Sequence, residues 1–243
     1  MVMASEGHSY RKKVSARGLV SFHVIVKETD LLVSADRIFE KQTRDLVFES
    51  RNQIEGYISS HPGFATSLVP VQKDPYAPPV VREMIEVTRM LGVGPMASVA
   101  GTIAQYVAVG LLRSTGQVIV ENGGDIFLKV NRPATVSILA GASPLSQKVG
   151  LRIPVSQMPL GVCSSSATVG HSLSMGIADV ACLLSPSAAL ADCAATALGN
   201  RIKKKKDLEK VSGWAREIEG ILGGVVIVGD KMASWGDVEL VEL

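Results

Sequence analysis

The sequence has 243 residues, of which 47% are hydrophobic and 20% are charged, and its formal net charge is +2. This composition is typical of a packed globular protein with one large core, and it excludes a disordered chain. The weak net charge argues against a dedicated nucleic-acid-binding protein, and the absence of a run of about 18 uninterrupted apolar residues argues against a membrane-spanning helix.

Hydrophobic periodicity predicts a single α+β domain over residues 1–243, with residues 1–16 flexible. Strands are predicted at residues 19–27, 31–34, 117–121, 126–130, 135–139, 149–153, 178–184, 223–228 and 238–243, the last two as a closing antiparallel pair. Helices are predicted at residues 36–61, 81–91, 96–114, 187–200 and 206–222. Because the helix at 96–114 is almost wholly apolar, we expect it to be buried.

Two features of the sequence indicate a cytoplasmic protein. The polar N-terminal segment, residues 1–18, is not followed by the apolar stretch of a secretion signal. The three cysteines, Cys163, Cys182 and Cys193, show neither C-x-x-C spacing nor nearby histidine pairs, which argues against a disulfide framework and a zinc site. We expect reduced and mostly buried thiols.

Asp192 and Thr196 are the first candidate site residues. They are four positions apart in a predicted Ala-rich helix, so the carboxylate and the hydroxyl share one face. Mg²⁺ binds a few oxygen ligands at about 2.1 Å, which a carboxylate, a hydroxyl and a carbonyl would provide. The alternative, which the spacing alone favours, is that Asp192 lies in the first turn of a helix capped by Ser185 or Ser187, where a negative charge is stabilising.

The second candidate is the sequence Glu-Asn-Gly-Gly-Asp at residues 121–125. Paired glycines allow the backbone to approach a ligand closely and expose N–H groups to an anion or to ribityl hydroxyls. The same letters are a strong signal for a tight hairpin turn, and on spacing alone the hairpin turn is favoured.

The third candidate is the segment at residues 161–176, which is rich in Ser and Gly and contains one histidine. A polar stretch of this length predicts a binding loop, with flexible solvated chain as the alternative. His171 is the best candidate for a general base near neutral pH, although a lone histidine is more often structural. Since no G-x-S-x-G elbow is present, a serine hydrolase is poorly supported.

Taken in order, these segments resemble the FAD:protein FMN transferase (ApbE-like) superfamily, in particular its shorter prokaryotic branch. The resemblance covers about residues 94–201. Ser98-Val-Ala100-Gly101 precedes Gly123-Gly124-Asp125-Ile126, as a buried helix precedes a strand ending in G-G-D in the family. The triple serine, the segment around His171, and the sequence Ala-Asp-Cys-Ala-Ala-Thr at residues 191–196 follow in the family's order.

This resemblance implies a T-fold-like domain that uses Mg²⁺ and takes FAD or FMN, a small-molecule nucleotide, as its ligand. The implied metal ligands are Asp192, Thr196 and the carbonyl of Ala100. The implied flavin site comprises Gly123, Gly124, Asp125, Ser164, Ser165 and Ser166. The implied base is His171. The implied function is Mg²⁺-assisted binding, and transfer or hydrolysis, at the pyrophosphate of a flavin nucleotide.

Two departures from the family pattern keep other functions open. The family's lysine in the first helix is replaced around Gly101, and its Asp-Pro after the histidine becomes Leu173-Ser174. One alternative is therefore a flavin- or nucleotide-binding protein without catalysis. The other is a structural homo-oligomer, such as a homodimer, packed through the apolar helix at residues 96–112.

Overall fold

The computed structural model describes residues 18–167 and 175–243. The strands are β1 (Val20–Val26), β2 (Thr29–Ala35), β3 (Val118–Asn122), β4 (Asp125–Lys129), β5 (Ala134–Ser137), β6 (Val149–Ile153), β7 (Leu160–Ser165), β8 (Val180–Ser185), β9 (Gly223–Val228), β10 (Lys231–Gly236) and β11 (Glu239–Glu242). The helices are α1 (Glu40–Ser60), α2 (Gly63–Thr66), α3 (Pro79–Leu91), α4 (Val99–Leu111), α5 (Ala188–Arg201) and α6 (Val211–Arg216). Short 3-10 helices lie at Pro95–Ser98, Val155–Gln157 and Lys205–Lys210.

An eight-stranded sheet forms the centre of the protein, in the order β1-β2-β3-β4-β7-β8-β9-β10. Every neighbouring pair in it is antiparallel. A smaller antiparallel sheet has the order β11-β6-β5. These sheets and the helices confirm the predicted α+β class of mixed or antiparallel sheets packed with helices, and the observed strand pairs are antiparallel.

Alternate residues of the central strands face different layers. In β4, Ile126 and Leu128 belong to the core shared with the small sheet, whereas Phe127 belongs to the core beneath α1, α3 and α4. In β9, Val225 faces the small-sheet core and Val226 faces α5 and α6. Because both faces are covered, these strands are continuous apolar runs instead of alternating ones. The result is three layers: helices, large sheet and small sheet.

The apolar helix and the cysteines are buried in the core of this chain, as predicted. In α4, the buried residues include Ile103, Val107 and Leu111, all part of the chain's own core. The three cysteines are free and buried. In residues 18–167 and 175–243, the structure has no helix with the length and apolar character needed to cross a membrane. The homodimer stays a prediction, but the apolar face of α4 is already covered by this chain.

The C-terminal pairing predicted from the sequence is wrong. Strand β9 pairs with β10, which the sequence analysis missed, and β11 pairs with β6 in the small sheet. The cause is a tight turn at Gly229 and Asp230, where Gly229 has a φ of 62° and allows β10 to fold straight back. The chain then crosses to the other sheet.

Two further segments differ from prediction. Residues 206–222 form no single helix: α6 ends at Arg216, Gly220 has a φ of 89°, and Leu222 already donates its N–H to Leu184 of the sheet. The predicted binding loop begins instead as strand β7, because its first residues are apolar and pair with β4 and β8.

Candidate functional site

A cavity of about 320 Å³ brings together four of the residues predicted from the sequence: Ala100, Asp125, Asp192 and Thr196. They come from the start of α4, the start of β4 and the middle of α5. The other described lining residues are Ala65, Ser67, Leu68, Val93, Gly94, Met96, Ala97, Val99, Met175 and Asn200. The described lining thus contains two carboxylates and no lysine or arginine.

Helices α4 and α5 approach each other closely at Gly101. A Cβ added to Gly101 would lie 2.8 Å from Cβ of Asp192 and would also collide with the carbonyl oxygen of Ala188. The absence of a side chain lets the N–H of Gly101 donate to Oδ2 of Asp192 at 2.8 Å. A lysine could not occupy this position without moving the helices apart.

Asp192 therefore serves as an N-terminal cap for a helix other than its own. Gly101 is in the first turn of α4, where N–H groups lack partners within the helix, and the side chain of Ser98 does not cap it. The alternative that placed Asp192 in the first turn of its own helix is wrong, because α5 begins at Ala188 and has no acidic residue in its first turn. Ser187 does cap α5, as that alternative expected, by accepting the N–H of Leu190.

Asp125 and Asp192 form an electrostatically unfavourable pair. Burial raises the pKa of Asp192 to about 7, against the opposing effect of the N–H groups of Gly101 and Ala100. Burial and then the charge of Asp192 raise the pKa of Asp125 well above its ordinary value. Only 6% of Asp125 and 7% of Asp192 are exposed, and neither forms an ion pair with a residue of the described ranges.

The double glycine forms the tight turn between β3 and β4, so the hairpin alternative is correct for the backbone. Gly123 and Gly124 have φ values of 65° and 105°, and Asn122 pairs with Asp125 across the turn. The amide of Asn122 donates to the carbonyl oxygen of Ala100 at 3.0 Å, which fixes the turn to α4. The N–H of Gly124 donates to Glu121 at 2.7 Å. A flavin contact at the two glycines stays a prediction.

The predicted serines lie at the end of β7, beside the cavity residues. The N–H of Ser164 donates to Oδ1 of Asp125 at 3.1 Å, and Ser165 lies with its Oγ 3.5 Å from Oγ1 of Thr196. Ser166 follows the last residue of β7. His171 lies outside the described residues, so its role as a base stays a prediction.

Sequence reasoning missed the rest of the cavity wall. Asn200 could have been found, because it lies four residues beyond Thr196 and so on the same helical face. Its Oδ1 accepts the N–H of Met175 at 2.8 Å, which holds that residue at the cavity. No local sequence pattern marks Ser67 as a cavity residue. Its backbone can reach the cavity only because Gly94 has no side chain, since a Cβ there would collide with the carbonyl oxygen of Ser67.

Comparison with known proteins decides the family. A family model described as "AbpE bacteria" matches residues 11–227. The chain belongs to this family. A UPF0280 protein of Methanocella arvoryzae is 43% identical over 213 residues, with 87% of this chain and 86% of the relative covered. A UPF0280 protein of Methanocaldococcus jannaschii is 38% identical over 226 residues, with 90% and 92% covered.

Solved structures share the fold of this family member. The flavin transferase ApbE from Vibrio cholerae matches with a TM-score of 0.58 at 12% identity, covering 90% of this chain and 96% of that one. The flavinyl transferase ApbE of Pseudomonas stutzeri matches with a TM-score of 0.54 at 12% identity, covering 90% and 94%. The family match, together with this shared fold, confirms the ApbE-like superfamily predicted from the sequence.

Proposed function

We propose that this chain binds FAD or FMN together with Mg²⁺ in the cavity. We further propose that it catalyses a transfer or hydrolysis reaction at the pyrophosphate of the flavin nucleotide. The observation that carries the proposal is the pair Asp125 and Asp192, two buried and electrostatically interacting carboxylates that line one cavity together with Thr196. Similarity in fold to solved flavin transferases supports the flavin as ligand.

The charge of the cavity is the reason for including a cation. A pyrophosphate is an anion, and two carboxylates without a described basic neighbour would repel it. A divalent cation held beside Asp192 would offset this repulsion. No group of three or more His, Cys, Asp or Glu suited to a metal occurs in residues 18–167 and 175–243. We assign Asp192, Thr196 and the Ala100 carbonyl as the ligands that would hold the cation beside water, because the three residues line one cavity and oxygen ligands suit Mg²⁺ better than zinc.

The residues of the site have different roles in binding and orienting the ligand. Asp192, Thr196 and Asn200 lie at successive four-residue intervals of α5 and present a carboxylate, a hydroxyl and an amide along one cavity wall. Mg²⁺ held by Asp192, Thr196 and the Ala100 carbonyl would supply positive charge to the phosphates and to the departing AMP. In the transfer, an acceptor hydroxyl oxygen bonds to the FMN phosphorus, the bond to AMP breaks, and His171 takes the hydroxyl proton. Water replaces the acceptor in hydrolysis.

The test is release of AMP from FAD. We expect purified protein with Mg²⁺ to release AMP, alone or with an added acceptor protein, and chelator to abolish the release. Asp192→Ala should abolish it as well, whereas Thr135→Val on β5 of the small sheet should not change it. Absence of AMP under every combination of Mg²⁺ and acceptor would overturn the catalytic proposal.

One observation favours a second function, binding without catalysis. The resemblance implies a lysine of the family around Gly101, and the surroundings of Gly101 leave no room for a side chain. A protein of this kind would quench flavin fluorescence in a chelator-sensitive manner and release no AMP. Equilibrium binding and the AMP assay on the same sample therefore separate the two functions.

A further inference from the structure

Hydrogen bonds join helices α4 and α5 at two places, one helical turn apart. The first is the bond from the N–H of Gly101 to Asp192. The second joins Oε1 of Gln105 to the N–H of Ala188 at 2.6 Å. Gln105 follows Gly101 by four residues and Ala188 precedes Asp192 by four, so the two bonds lie on facing stripes of the helices.

The first residue of α5 is tightly packed against both α4 and β7. A Cβ on Gly101 would collide with the carbonyl oxygen of Ala188, and a Cβ on Gly161 of β7 would lie 2.5 Å from Ala188 Cα. A small displacement at Ala188 therefore changes the contacts of α5 with both α4 and β7. It would also shift Asp192, one turn further along the helix.

Glu83 of α3 determines which end of the Gln105 amide faces α5. Nε2 of Gln105 donates to Oε1 of Glu83 at 2.8 Å, which leaves the amide oxygen for Ala188. Burial raises the pKa of Glu83. In its ionised form the carboxylate only accepts hydrogen bonds, and that form selects this amide orientation. Oγ of Ser187, the cap of α5, lies 3.5 Å from the same carboxylate oxygen.

We propose that Glu83 and Gln105 are positioning residues that set the place of α5 against α4, and hence the place of Asp192 in the cavity. This inference rests on the proposed function, because it assigns these two side chains to the cation and nucleotide site. Neither residue is part of the described cavity lining, and both act through the first turn of α5.

The two residues allow a test by exchange. In Gln105→Glu, two carboxylates face each other and the bond from residue 105 to Glu83 is lost. In the double variant Glu83→Gln/Gln105→Glu, the amide at 83 donates to the carboxylate at 105, which still accepts the N–H of Ala188. The matched control is Gln117→Glu, because Gln117 also donates to a carboxylate, that of Asp36, and accepts a backbone N–H, that of Asn131, and none of the three residues lines the cavity.

Two measurements apply to each variant. The first is the affinity for FAD with Mg²⁺, by titration calorimetry; we expect a loss of about 10- to 100-fold in Gln105→Glu, recovery in the double variant and no change in the control. The second is amide hydrogen exchange at Gly101 without ligand, which should be faster in Gln105→Glu and return to the wild-type rate in the double variant.

The outcomes separate this inference from the proposed function. If the wild type binds no FAD with Mg²⁺, the proposed function fails, and exchange at Gly101 still decides the positioning role. If Gln105→Glu behaves like wild type, or the double variant does not recover, the positioning role is overturned. Should the single variant not fold, a folded double variant with wild-type exchange supports the inference, and a double variant that also fails to fold refutes it.

Discussion

The substitution Asp192→Asn separates a structural cap from a functional carboxylate. The asparagine oxygen can still accept the N–H of Gly101, so the link between α4 and α5 is kept. The negative charge beside Asp125 is removed. Without metal, we expect the variant to be more stable than wild type at pH 8 and about equally stable near pH 4.

The sign and the size follow from the pKa of Asp192. Because this pKa is raised in the folded chain, protonation of Asp192 stabilises the fold; the contribution is complete below 3.8 and is lost as the pH rises through about 7. The difference between a pKa of about 7 and the ordinary 3.8 corresponds to about 4 kcal/mol, an upper limit for the gain at pH 8. Interaction with Asp125 divides this energy between two groups.

The assay is urea unfolding of both proteins in chelator at intervals from pH 4 to pH 8.5, repeated with Mg²⁺. Mg²⁺ should stabilise the wild type at pH 8 and have little effect on the variant, because a ligand that binds only the folded state raises its stability. A variant less stable than wild type at every pH would show that the carboxylate is mainly a cap, and the reasoning about a destabilising charge pair would be wrong.

Substitutions at three further positions, Gly101, Thr196 and Gly123, test other parts of the site. Gly101→Ala should lower the free energy of unfolding by about 1–3 kcal/mol in urea, because its Cβ collides with α5; Gly56→Ala, in open space on α1, should raise it by about 0.5–1 kcal/mol. Thr196→Val should weaken Mg²⁺-dependent flavin binding in calorimetry with little change in stability, and equal affinity would remove the hydroxyl from the proposed ligands. Gly123→Val should cost about 1–2 kcal/mol, because its φ is 65°, whereas Gly123→Asn should cost less; thermal unfolding that ranks the two variants the other way would contradict the turn geometry.

Local patterns in the sequence were sufficient for most elements. Strands β6 and β9 begin and end at the predicted residues, because β-branched runs bounded by turn residues are a local signal. Strand β7 was hidden by its serines, which resemble a loop in composition although their backbone pairs with β8. The partner of β11 could not be predicted, because pairing depends on which sheet edge the chain meets after β10.

The candidate site was predicted as a set of residue types and not as a geometry. Helical spacing placed Asp192 and Thr196 on one face, and the resemblance added Asp125. The contact between Gly101 and Asp192 joins residues 91 positions apart, so no local pattern contains it. The raised pKa values also follow from burial, which depends on the assembled layers and not on neighbouring residues.

The turn between β3 and β4 has a consequence for engineering. Asn122 ends one strand and Asp125 begins the next, so the two-glycine turn positions both residues. Asn122 makes the contact to α4, and Asp125 provides a carboxylate of the cavity. Successive strand residues point to opposite faces of a sheet, and an insertion or deletion of one residue here would turn Asp125 towards the small sheet. Inserted loops or tags are therefore better placed in the turn at Gly229 and Asp230, because neither residue lines the cavity and a longer turn there leaves the cavity wall intact.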